Sequence, residues 1–156
     1  MKASGFTYIE VIFTVAIVAL IATTVMPYVE LSVQRKKEAE LRHSLREIRT
    51  ALDEFKRAVE NGVIALPADA SGYPPALEVL AQGAPNAQDP QQRPVYFLRR
   101  LPRDPMYQGP PVTAAETWGK RSYDSPPDAP QEGEDVFDIY SLSDAVGLNG
   151  VPYHDW

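Results

Sequence analysis

Nineteen consecutive residues, Val11 to Val29, carry no charge and are almost wholly apolar. No other stretch constrains the fold as strongly. As a helix rising 1.5 Å per residue the run is roughly 28 Å long, close to the thickness of a hydrocarbon core. It is apolar on all faces, so it predicts either a membrane span or the centre of a helical bundle. A single acid, Glu10, stands at its start. An ionised group at the edge of such a segment is costly without a nearby counter-charge, which marks Glu10 as a functional candidate.

Beyond the run the helical pattern continues with a different chemistry. Leu41, Leu45, Ile48, Leu52, Phe55 and Val59 recur at spacings of 4, 3, 4, 3 and 4, one apolar stripe for a small domain or neighbouring helices. Glu38→Arg42, Arg49→Asp53, Asp53→Arg57 and Lys56→Glu60 form i,i+4 pairs on the other faces. Asn61-Gly62 supplies the stop, since both residues tolerate the left-handed conformation. Pro27 interrupts the apolar half and predicts a kink or hinge, because it removes a backbone donor and crowds the preceding turn.

The C-terminal half is irregular, as most of the 15 prolines fall there. A short helix is expected over Ala76 to Ala81, and β-like runs over Val95 to Leu98, Thr117 to Tyr123 and Val136 to Leu142. The economical fold is α+β: a long N-terminal helix, apolar then amphipathic, packed on a small C-terminal antiparallel sheet. There are no cysteines, so disulfides, thiol catalysis and Cys-based metal sites are excluded. Net charge is −6, and no Lys or Arg follows Arg121. That acidic end argues against nucleic-acid binding and suits a divalent cation, a basic partner or plain solvation. His43 and His154, the two histidines, are expected at the surface, and Trp118, Tyr123 and Trp156 are expected to pack a small sheet. No nucleophile elbow or phosphate loop is present, so no enzymatic activity is expected.

An ordinary secretory signal places small residues after its apolar run, whereas Ala3, Ser4 and Gly5 precede this one. The segment Gly5-Phe6-Thr7-Tyr8-Ile9-Glu10 resembles the class III leader of type IV pilins and type II secretion pseudopilins, with Tyr8 where Leu is usual. Tyr73-Pro74-Pro75, Leu101-Pro102-Arg103-Asp104-Pro105, Trp118-Gly119 and Asp135-Val136-Phe137-Asp138-Ile139-Tyr140-Ser141 are similar to blocks of the major pseudopilins.

The resemblance implies a type IV pilin-like fold divided into a leader (1–5), a transmembrane and filament-core helix (6–29), an amphipathic helix (30–62) and a small periplasmic head (63–156). It implies cleavage after Gly5 by prepilin peptidase and N-methylation of Phe6. Glu10 would pair with the new α-amine and fix the register of assembly, and Pro27 would act as a hinge. The chain would be a single-pass inner-membrane protein, its N-terminus cytoplasmic, polymerising with itself, with minor pseudopilins and with an inner-membrane platform. The filament would be a secretion pseudopilus that drives protein export. A type IV pilus or DNA-uptake pilin and a monomeric membrane-anchored binding domain are the alternatives. Calcium is the implied cofactor, with Asp144 and Asp155 flanking a Gly-containing loop and carbonyls of Leu142 or Val151 completing the shell.

Overall fold

A computed structural model describes residues 7–156, the side chains at 23–27 excepted. Its long helix α1 runs from Tyr8 to Glu60 and crosses two compact units, which divide between Lys37 and Glu38. Gly5 and Phe6 lie outside the described residues. So does the Pro27 side chain, although α1 is helical through that position.

In the first unit the helix is built from apolar residues that stay exposed. Tyr8, Phe13, Val18 and Leu20 are 82%, 65%, 65% and 70% accessible. The expected membrane span is corrected here: among the described residues no helix is long and apolar enough to cross a membrane. The described side chains run unbroken only from Thr7 to Ala22, about 22 Å of helix against a core of about 30 Å. With the span go the transmembrane part of the fold class and the single-pass inner-membrane placement.

The second unit begins with the amphipathic half of α1. Leu41, Leu45, Ile48, Ala51, Leu52 and Phe55 are buried, with Val59 partly buried against them. The stripe works because residues three and four apart share a helix face. Fully burying a Leu, Ile or Phe side chain contributes about 1.5–3 kcal/mol. The helix closes with a Schellman motif: Val63 N–H donates to Ala58 O at 2.8 Å and Gly62 N–H to Val59 O at 2.9 Å. Gly62 takes φ +70°, a conformation a Cβ would strain.

Two separate two-stranded antiparallel sheets, not one sheet, accompany the helices. Strands β1 (Ala84–Pro85) and β2 (Pro94–Val95) pair as Ala84↔Val95 and Pro85↔Pro94. Strands β3 (Trp118–Arg121) and β4 (Asp138–Ser141) pair from Trp118↔Ser141 to Arg121↔Asp138. The first expected run, Val95 to Leu98, ends early for a definite reason. Phe97 and Leu98 both donate their N–H to Leu80 O, at 3.0 and 2.9 Å, so they seal the short helix α2 (Glu78–Gln82). The core joins the α1 stripe to Leu77, Leu80, Trp118, Ile139 and Tyr153. Trp118 is buried with its indole N–H donating to Pro102 O at 2.9 Å, so its one polar group is satisfied.

Candidate functional site

Glu10 is the sharpest sequence candidate, and the structure gives it a local partner. Glu10 N–H donates to Thr7 Oγ1 at 3.3 Å, and Thr7 N–H donates back to Glu10 Oε2 at 3.5 Å. Val11 N–H, donating to Thr7 O at 3.2 Å, makes Thr7 the N-cap. The pair is a capping box, which satisfies two N–H groups that the first helical turn leaves without partners. A carboxylate there also faces the positive end of the helix dipole. Thr7-x-x-Glu10 is the standard sequence signature of this motif.

The apolar side chains that follow line α1 without cover from the rest of their own unit. Ile9, Ile12, Val15 and Ile21 are all exposed, as are Tyr28, Val29 and Val33 beyond the undescribed side chains. Over residues 8–21 alone this is more exposed apolar surface than a monomer usually carries, and it marks a place where something else packs.

At the other end, the four residues expected to hold calcium do not assemble a donor set. Leu142, Asp144 and Asp155 line one cleft of about 620 Å³, but Val151 does not. The Val151 carbonyl already accepts Gly147 N–H at 2.9 Å and the Trp156 indole N–H at 3.2 Å. Asp155 lies 3.3 Å from His154 Nε2, and Asp144 is exposed. Two guanidiniums, Arg49 and Arg121, enter the same cleft and engage Asp138 at 2.8 and 3.6 Å. Their charge opposes a dication. Among the described residues no group of three or more His, Cys, Asp or Glu side chains is placed to bind a metal.

What the C-terminal segment does have is a set of contacts to α1. Glu38, only 4% exposed, accepts Leu148 N–H at 2.8 Å and the Tyr153 hydroxyl at 3.0 Å, both on Oε1. One turn on, Arg42 lies 3.9 Å from Glu38 Oε2 and stacks 4.3 Å above the Trp156 ring. Arg49 then donates to Asp138 Oδ1 at 2.8 Å, Ile139 O at 3.1 Å and Trp156 O at 2.9 Å. The expected i,i+4 partner of Arg49, Asp53, is passed over. A planar fork of N–H donors matches several fixed oxygens better than one mobile surface carboxylate does.

Asp104 is a third unforeseen centre. It is buried, accepts Met106 N–H at 2.7 Å and the Ser141 hydroxyl at 2.6 Å, and donates its own N–H to Thr117 Oγ1 at 3.1 Å. Burial raises its pKa, and hydrogen bonds from Ser141, Met106 N–H and Leu142 N–H oppose that rise without cancelling it.

A cleft of about 750 Å³ lies between the loops around Tyr73 and Ser125, with Asp69, Asp124, Glu132 and Asp135 on its walls. Burial pushes the Asp135 carboxyl up, but hydrogen bonds from Ser71, Tyr123 N–H and Ser122 outweigh it and hold the pKa low. Tyr73 stacks on Tyr123 with ring centroids 5.9 Å apart, and Phe137 meets both rings edge-on. Tyr123 therefore packs in an aromatic cluster, Trp118 in the core and Trp156 on Tyr153. His43 and His154 are exposed, each beside one carboxylate.

Comparison with protein-family models, with curated proteins and with solved structures finds no match to this chain. The pseudopilin and secretion resemblance therefore gains no family support from these comparisons and rests on the sequence blocks alone.

Proposed function

We propose that the chain is a structural subunit of a pilin-like filament, a secretion pseudopilus being the assembly its sequence blocks favour. The observation that supports this most is the exposed apolar surface of α1 in the first unit, headed by one carboxylate. The same segment of neighbouring copies would cover it, helix against helix. In this reading the chain is cut after Gly5 by prepilin peptidase, leaving an α-amine on Phe6. That amine is cationic at neutral pH. Glu10 of a neighbouring copy pairs with it and selects one axial register, since any other register leaves a charge among apolar side chains. Breaking a buried pair costs about 3–5 kcal/mol, enough to make one register dominate.

The capping box decides which variants test this. Glu10→Gln keeps an acceptor for Thr7 N–H and removes the charge, whereas Glu10→Ala removes both. With the processed chain, electron microscopy and sedimentation should show filaments from the wild type and none from either variant. Circular dichroism should show the Gln variant as helical as the wild type. Normal filaments from Glu10→Gln would refute the charge-register role.

A further inference from the structure

We propose that the C-terminal segment 144–156 is latched onto α1 by side chains of the chain itself, Glu38 with Arg42 and Arg49, and that this closure requires no divalent cation. The inference is independent of filament formation, because every group in it belongs to the second unit.

The argument rests on where the donors and acceptors go. A metal that closes a loop does so by drawing several oxygens to one point. Here side chains of α1 close the segment through hydrogen bonds instead. Glu38 Oε1 gathers Leu148 N–H and the Tyr153 hydroxyl from two places in the segment, at 2.8 and 3.0 Å. Arg49 holds the far end through Trp156 O at 2.9 Å and ties it to β4 through Ile139 O and Asp138. Arg42 covers the Trp156 ring. Within the segment, Gly147 N–H to Val151 O at 2.9 Å and Tyr153 N–H to Ala145 O at 3.1 Å fold the loop back on itself. The Val151 carbonyl is thereby used inside the loop. A buried carboxylate accepting two hydrogen bonds, one from a backbone N–H, is a strong fixed anchor, and leaving its donors unmatched is costly. Glu38, Arg42 and Arg49 lie four and seven residues apart, so they rise along one side of the helix.

The test uses the full chain, with limited proteolysis within 144–156 followed by mass spectrometry in 1 mM calcium chloride or in EDTA. The latch predicts equal cleavage rates in the two conditions for the wild type. Tyr153→Phe removes the hydroxyl that donates to Glu38 and should raise cleavage within the segment about tenfold. Glu38→Gln should have a smaller effect, because its amide oxygen still accepts both donors. In a double-mutant cycle the effects of Tyr153→Phe and Glu38→Ala, which removes the acceptor, should not add, as expected of direct partners. Cleavage slowed tenfold by calcium in the wild type would overturn the proposal. So would a Tyr153→Phe chain as resistant as the wild type.

Discussion

Replacing Asp104 by Ala removes an acceptor that at least two buried donors share. Ser141 is fully buried and the Met106 N–H lies in the same interior turn, so neither donor gains water when the carboxylate goes. Each buried donor left unmatched costs about 1–3 kcal/mol, and the Leu142 N–H adds a third. Part of this is offset, because burial in the wild type disfavours the charged form of the carboxyl. A net loss of about 3 kcal/mol is expected, which lowers Tm by roughly 10 °C or more in a domain of this size. Asp104→Asn keeps the acceptor for Met106 N–H and lets the Ser141 hydroxyl turn to accept, so it should cost about 1 kcal/mol. The two variants also differ from the wild type in pH dependence. A carboxyl whose folded pKa is raised contributes stability that is complete below the unfolded value and is lost as pH rises through the folded value. The wild type therefore declines relative to Asp104→Asn as pH rises above about 4 and through the raised folded value, and the deficit of the Asn variant shrinks. Urea unfolding followed by tryptophan fluorescence at several pH values measures both quantities. An Ala variant within about 1 kcal/mol of wild type, or an Asn deficit that grows with pH, would refute the reasoning.

Arg49→Ala should lose about 2 kcal/mol, since three hydrogen bonds go but the side chain is 38% exposed and Asp138 keeps Arg121. Arg49→Lys should recover less than half, because one ammonium cannot reach oxygens on β4 and at Trp156 together, and chemical denaturation resolves the difference. A Cβ at Gly119 would sit 2.3 Å from the Tyr140 ring, so Gly119→Ala should cost about 1–3 kcal/mol. Tyr140→Ala in the same chain should restore most of that loss, and equal losses with and without Tyr140 would contradict the clash. Thr7→Val removes the reciprocal bond to Glu10 but keeps its charge, so amide exchange at the start of α1 should quicken while filaments still form.

The helix stripe was legible because its information is local: a face repeats every three or four residues, and Leu41 to Phe55 obey that repeat without exception. The stop at Gly62 was legible for the same reason, since φ +70° is a property of one residue type. The sheets were less so. Val95 to Leu98 has strand composition, yet the N–H groups of Phe97 and Leu98 are taken by Leu80 O, a partner that no periodicity announces. Charges were hardest to read. Arg49, Glu38 and Asp104 look like ordinary polar residues in sequence, and their partners lie 90, 115 and 37 positions away. Sequence distance hides such pairs even when each residue type suits its role.

Glu10 and Glu38 show how the same residue type misleads in opposite directions. Glu10 stands out because no other charge lies near it in sequence, and that contrast suggests a distant counter-charge. Its partner in the structure is three residues away, and an exposed capping box contributes about 1 kcal/mol or less. Glu38 sits among Arg35, Lys36, Lys37 and Arg42 and reads as one more surface charge, yet it is the buried one. Contrast with near neighbours in sequence therefore measures how costly a charge would be if its segment were buried, not whether it is buried. For Glu10 the proposed filament would meet that condition, with other copies covering the apolar half of α1. In that proposal the capping box belongs to the single chain and the register charge to the filament, and Glu10→Gln separates them because it preserves the first and abolishes the second.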